Sequence, residues 1–216
     1  MASLKARKEK ARKQIQPFID FFCELKEMLA SGKRFRFWYF INRLDALGKK
    51  IPDARFGLIE KNVVIKGKLF LGKNSVIKSG SYLEGNNYIG ADCTIGPNAY
   101  LRGTTLVACG SHIANSEVKN SIILSDSNVP HFSYVGDSIL GENVNLGAGT
   151  KIANLRHDNS SVKVELRGVK TSSGRRKLGA CIGNSVKIGI NASINCGVIL
   201  SNNSCVLPGE FVKKNR

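Results

Sequence analysis

The sequence predicts a mainly β fold: a left-handed parallel β-helix of hexapeptide repeats, preceded by an N-terminal α-helical hairpin. Three observations carry this reading. Aliphatic residues stand six apart over long stretches. The first fifty residues instead place apolar side chains three and four apart. The change between the two patterns is abrupt near residue 55. Residues 1–54 are therefore read as a basic helical hairpin. Residues 55–216 are read as the β-helix, with an extruded loop at about 155–180.

Taken in order, residues 1–13 are highly charged and fit a solvated or frayed helix start. From about Gln14 to Ala30, Ile15, Ile19, Phe22, Leu25 and Leu29 form one face of an amphipathic helix, with Pro17 in its first turn. Ser31-Gly32 breaks it. A second helix is expected from about Arg34 to Leu47, with Phe37, Phe40, Ile41, Leu44 and Leu47 on one side. Gly48 and then Pro52 would end it.

Beyond residue 55, Ile59, Ile65, Leu71, Ile77, Leu83, Ile89, Ile95 and Leu101 follow a strict period of six, continued by Val107 and Ile113. The register breaks near 119–123 and returns at Leu140, Leu146 and Ile152. It breaks again over 155–180 and resumes at Ile182, Ile188, Ile194, Leu200, Val206 and Val212. An antiparallel sandwich would need period two and frequent turn signals, and neither is present. In the predicted coil, three short strands enclose the aliphatics. Small residues such as Ser75, Cys93, Ala99, Thr150, Ala192 and Ser204 suit the corners. Eighteen residues per coil give roughly seven coils. The breaks at about 119–137 and 155–180 are the expected places for loops and function.

The 216 residues carry 33 Lys+Arg against 16 Asp+Glu, a net charge of +17. Such a charge points first to nucleic acid. At 42% hydrophobic residues, however, the chain is too apolar for a disordered tail. No apolar run is long enough for a bilayer, and a secretory signal is not expected, so the expected location is the cytoplasm. The charge gathers in residues 1–50 and in 155–177. The aromatic residues Phe35 to Phe40 lack a repeated basic-aromatic pattern. They are expected to cap the open end of the β-helix or to contact another subunit. Neither nucleic acid nor a membrane is the expected partner. The six cysteines form no CxxC and read as buried small residues or free thiols.

Three histidines are present: His112, His131 and His157. A lone histidine is more often structural than catalytic, but His131 sits at the first interruption. Pro130 fixes the backbone before it, and Tyr134 and Asn145 are expected to converge with it on one coil face. A neutral imidazole there can take a proton from an amine or hydroxyl. A three-histidine zinc site is not expected, because the slip near 119–123 separates His112 from His131.

The blocks Ile95-Gly-Pro-Asn-Ala-Tyr-Leu-Arg102, Glu117-Val-Lys119, Pro130-His-Phe-Ser-Tyr-Val-Gly-Asp137, Glu142-Asn-Val-Asn-Leu-Gly-Ala-Gly-Thr150, Ile152-Ala-Asn154 and Ser173-Gly-Arg-Arg-Lys-Leu-Gly179 carry a resemblance. Together they resemble the acetyltransferase domain of bifunctional glucosamine-1-phosphate N-acetyltransferase/uridylyltransferases, in an archaeal-like variant. The resemblance implies acetyl-CoA as co-substrate, no metal for acetyl transfer, and sites between subunits of a homotrimer. His131 would be the general base, Glu117 would hold and polarise the amine region, and Asn154 would orient base or amine. Arg102 and Lys119 would bind the sugar phosphate, and Tyr134 and Asn145 would hydrogen-bond the sugar and phosphate. Gly147 and Ala148 would line the acetyl-CoA channel through their backbone. Ile190 stands where a small polar CoA contact is found in the family, and Leu155 where its bacterial members carry an aromatic residue.

Arg175, Arg176 and Lys177, in the inserted loop, are candidates for the CoA phosphates or for a neighbouring subunit's sugar phosphate. Lys213, Lys214 or Arg216 would replace a basic contact from the family's longer C-terminal arm. The first fifty residues hold no Gly-rich phosphate loop, so nucleotidyl transfer is not expected of them: either a separate nucleotidyltransferase supplies it, or the acetylated product goes elsewhere.

Overall fold

The computed structural model describes residues 2–216, with side chains from residue 13 onward. Three eight-stranded parallel sheets form the walls of a triangular left-handed β-helix. The first sheet runs from Ala54–Arg55 to Ile199–Leu200, the second from Leu58–Ile59 to Cys205–Val206, and the third from Val64–Lys66 to Phe211–Val212. The aliphatics at the sixth positions fill the interior. Ile77, Ile95, Leu101, Ile113, Leu146 and Ile194 are all fully buried in one continuous core.

Eight coils are present instead of seven, because not every coil uses eighteen residues. His112 pairs with Asn128, sixteen positions on, and Glu117 with Tyr134, seventeen on. Shortening a corner by one residue preserves the wall but shifts the phase. Val118, Ile123, Val129, Val135 and Leu140 still point inward, now at intervals of five and six. The break near 119–137 is therefore a set of corners trimmed by one residue each and not an extruded loop.

The break at 155–180 is a true insertion, leaving between the third and first sheets. It contains an antiparallel hairpin of Lys163–Leu166 with Val169–Ser172. Its base is closed by the Leu155–Lys177 bridge and by Leu178 N–H donating to the Asn154 carbonyl.

Helix α1 spans Ala2–Ala30 and helix α2 spans Trp38–Lys50. The first begins earlier than expected, because the helix-forming Ala, Lys, Arg and Glu of 2–13 continue the turn; Pro17 is internal. The second begins later. Phe35 and Phe37 are drawn into packing within the connector, and Phe37 is fully buried. Gly48 does not end α2. A Cβ there would stand 2.5 Å from Thr104 Oγ1, so Gly48 lets the helix lie against a strand.

The helices do not cap an end of the solenoid. They lie along the outer face of the first sheet, where Phe70, Tyr88, Leu106, Ile122, Ile139, Cys181 and Ile199 form an outward apolar stripe. Phe18 stacks on Tyr88 with centroids 4.9 Å apart, and Tyr88 on Phe70 at 4.7 Å. At the far end, Asn202 Nδ2 donates to the Leu29 carbonyl. Val162, Val164 and Leu178 of the insertion join the same cluster. None of the described helices is long and apolar enough to cross a membrane. All six cysteines are free, with Cys93 and Cys181 buried.

Candidate active site

The third sheet presents a polar face. Strand alternation turns Leu101, Val118 and Val135 inward and their neighbours outward. Parallel register then stacks Tyr100, Glu117, Tyr134 and Lys151 in one row, and Arg102, Lys119 and Gly136 in the next. Two cations thus come together although fifteen or more residues separate them from one another in the chain. Arg102 Nε donates to Glu117 Oε1 at 2.7 Å. The two Nη groups take no part in that bond and suit an anion.

At the edge nearest the insertion, Asp137 is 1% exposed. Its Oδ2 accepts from Asn154 Nδ2 at 2.6 Å and from Lys119 Nζ at 3.1 Å. Its Oδ1 lies 3.4 Å from Arg175 Nη2 and 3.5 Å from Asn120 Nδ2. The Asn154 amide and the Tyr134 hydroxyl also lie close together over Gly136. Burial, followed by the charges of Glu117 and Asp137, holds the Tyr134 phenol above its ordinary pKa. Gly136 lets both the Asn154 and the Tyr134 side chain pack directly over its backbone. A Cβ at that position would lie 2.6 Å from both Asn154 Nδ2 and Tyr134 Oη.

The structure therefore gathers Arg102, Glu117, Lys119, Tyr134 and Asn154 on one face. It adds Asp137 and Gly136, whose roles were not read from the sequence although both lie inside its most specific motif.

His131 sits at the opposite edge of this face, at the corner between the second and third sheets. It is exposed, and its φ of 60° is followed by a φ of 61° at Phe132, which is 77% exposed. Two successive left-handed residues without glycine mark a strained corner, a common feature of functional sites. Hydrogen bonds from His131 N–H to the Ala114 carbonyl and from Gly149 N–H to the His131 carbonyl hold it. His112 lies near enough for its pKa to be lowered by burial, by Lys78 and by His131, so the register shift does not separate the two histidines. Among the described residues no group of three His, Cys, Asp or Glu is placed to hold a metal.

Asn145 does not share a face with Tyr134. It projects from the second sheet, paired with Asn128 and Lys187, because the corner at 147–150 turns the chain before the third sheet resumes. Gly147, Ala148 and Ile190 occupy the His131 corner in successive coils. With Phe132 and Leu207, Ile190 makes an exposed apolar track along that corner. Arg175, Arg176 and Lys177 lie across the third sheet from it. Arg175 is engaged by Asp137, by Asn42 Oδ1 at 2.8 Å and by the Lys177 carbonyl at 2.9 Å. Arg216 pairs with Glu210.

Comparison with known proteins gives the chain its relatives. Residues 83–172 match the family described as the GMPPB C-terminal domain. The chain is 48% identical over 171 residues to the bifunctional sugar-1-phosphate nucleotidylyltransferase/acetyltransferase of Sulfurisphaera tokodaii, covering 79% of this chain and 43% of that protein. It is 46% identical over 170 residues to the bifunctional protein GlmU of Methanococcus aeolicus, covering 78% and 41%. A third match, 38% identical over 210 residues to the GlmU protein of Methanococcus vannielii, covers 91% of this chain and 50% of the relative. At that coverage it includes much of the helical hairpin. The chain spans half or less of the length of these curated relatives. It is a hexapeptide-repeat β-helix protein related to part of the bifunctional sugar-1-phosphate nucleotidylyltransferase/acetyltransferases.

Proposed function

We propose that the protein is an acetyl-CoA-dependent N-acetyltransferase acting on an amino-sugar phosphate, with glucosamine-1-phosphate the preferred acceptor. The observation that carries this is the third-sheet face. Two stacked cations, a partnered carboxylate, a phenol and an amide held by Asp137 share that face. A sugar phosphate presents the complementary groups: an anion for Arg102 and Lys119, and hydroxyls and an amine for Glu117, Tyr134 and Asn154.

The apolar track of Phe132, Ile190 and Leu207 fits the pantetheine arm of acetyl-CoA, alongside Gly147 and Ala148. It leads to His131. There the acceptor amine attacks the thioester carbonyl, a C–N bond forms and the C–S bond breaks. His131 takes the amine proton and returns it to the departing thiolate. The step uses no metal.

His131 and Asn154 occupy opposite edges of one sheet, and Asn145 projects from another. Side chains so divided meet one small ligand when a second copy contributes, which supports a homotrimer with sites between subunits. The product would feed UDP-N-acetylglucosamine synthesis.

The test is acetyl-CoA consumption with glucosamine-1-phosphate, set against glucosamine, galactosamine-1-phosphate and glucosamine-6-phosphate. We expect turnover to be fastest with glucosamine-1-phosphate, and His131→Ala to lower it by about 10²–10⁴-fold. A His131→Ala protein with the wild-type rate would overturn the mechanism. Faster turnover of another amino sugar would reassign the acceptor, and failure to bind CoA in calorimetry would favour a non-catalytic scaffold.

A further inference from the structure

We infer that Asp137 is the positioning residue of the acceptor pocket, with Arg175 as its counter-charge. Through this pair the inserted loop and helix α2 hold the third-sheet side chains in place. The inference rests on the functional reading above and extends it to residues outside the ligand contacts.

A carboxylate this deeply buried must be paired and hydrogen-bonded. Asp137 meets that condition with donors from four different segments. Lys119 comes from a strand, Asn120 from the corner after it, Asn154 from the corner of the next coil, and Arg175 from the insertion. Its backbone is fixed as well. Asp137 N–H donates to the Lys119 carbonyl at 2.8 Å, and its own carbonyl accepts from Gly179 N–H at 2.9 Å.

Asp137 itself is covered and does not reach a ligand. It acts through two side chains that do. Accepting from Asn154 Nδ2 fixes which end of that amide faces Tyr134. Accepting from Lys119 Nζ anchors an ammonium with three donors, so the remaining donors are aimed and not free to wander. One carboxylate between Lys119 and Arg175 leaves a net single positive charge at the pocket edge, the sign a phosphate requires.

Arg175 is held on every side. Nη2 faces Asp137, Nη1 donates to Asn42 Oδ1 on α2, and Nε donates to the carbonyl of Lys177. Its guanidinium fork is therefore committed to the molecule's interior wiring and not to CoA phosphates. Asn42 lies 133 positions away in the chain. The helical hairpin thus reaches the pocket by a single relay, from Asn42 through Arg175 and Asp137 to Lys119 and Asn154.

Steady-state kinetics on the full chain with glucosamine-1-phosphate and acetyl-CoA test this. Wild type is compared with Asp137→Asn, Arg175→Gln, Arg175→Lys and Asn42→Ala, each also followed by thermal unfolding. We expect Asp137→Asn to raise the acceptor KM by about 10²-fold, the scale of a misplaced contact, while the acetyl-CoA KM holds. Arg175→Gln shifts the acceptor KM in the same direction, Arg175→Lys recovers most of it by restoring the charge, and Asn42→Ala gives a smaller shift of the same kind. Asp137→Asn with a wild-type acceptor KM overturns the inference. So does a uniform loss in kcat and both KM values that tracks a lowered Tm in all variants, since that is the signature of a merely structural pair. A wild-type protein inactive on every amino-sugar phosphate would instead overturn the functional reading itself.

Discussion

A buried thiol or phenol states its environment through its proton. Burial pushes the Cys93 thiol up to about 11 and the Cys181 thiol up to about 12, and it pushes the Tyr88 phenol up to about 12. Each folded group keeps its proton to a higher pH than in the unfolded chain. Above about pH 9 the unfolded state therefore loses protons first, and stability falls with rising pH until the folded values are passed. Urea unfolding should give a free energy that is flat near neutral pH and declines above about pH 9. Cys93→Ala should reduce that slope, and an unchanged slope would refute the assignment to Cys93. The candidate site shows a different limit on reading a sequence. Arg102, Glu117, Lys119, Tyr134 and Asn154, which the fold gathers on one face, could be singled out because short motifs carry them. Asp137 stands in the same motif, yet its role depends on Arg175, thirty-eight positions away, and on Asn42. Only the fold brings those charges to it.

At the scale of elements, the hexad period revealed every wall of the solenoid, because each sixth side chain must enter a dry core. The same pattern concealed where the helices go. The signal lay one position earlier: Phe70, Tyr88, Leu106, Ile122, Ile139, Cys181 and Ile199 each precede an inward aliphatic. Adjacent apolar residues in a strand face opposite sides, so these doublets demanded a covering for the first sheet. The corner shortened near residue 119 was misjudged for a related reason. Losing one residue breaks a period as visibly as inserting twenty. Helix α1 is thus part of the core and not an appendage. Phe18 is fully buried and stacked on Tyr88. Phe18→Ala should cost about 3–5 kcal/mol, the usual range for an aromatic removed from a packed site. Guanidinium denaturation followed by far-UV circular dichroism measures it. A loss well under about 1 kcal/mol would mean that α1 contributes little to the fold.

For the whole molecule, the division of faces sets the arrangement of the proposed sites. The helices and the insertion cover much of the first sheet, while the second and third carry polar side chains outward. A rigid prism cannot turn His131 and Asn154 toward each other, because they flank the same sheet on opposite edges. If both act on one acceptor amine, they come from neighbouring copies. That arrangement makes a prediction about mixtures. His131→Ala and Asn154→Ala chains should each be nearly inactive alone. When co-assembled at equal amounts, a site that draws histidine from one copy and asparagine from the next is intact with a probability of one half times one half. About a quarter of the wild-type activity per site should return, as expected for a closed ring with heterologous contacts. Sites confined to single chains would recover nothing, since every chain in the mixture lacks one group. Sedimentation of the same mixture as a trimer, with activity restored only after co-assembly, would tie the recovery to the interface between copies.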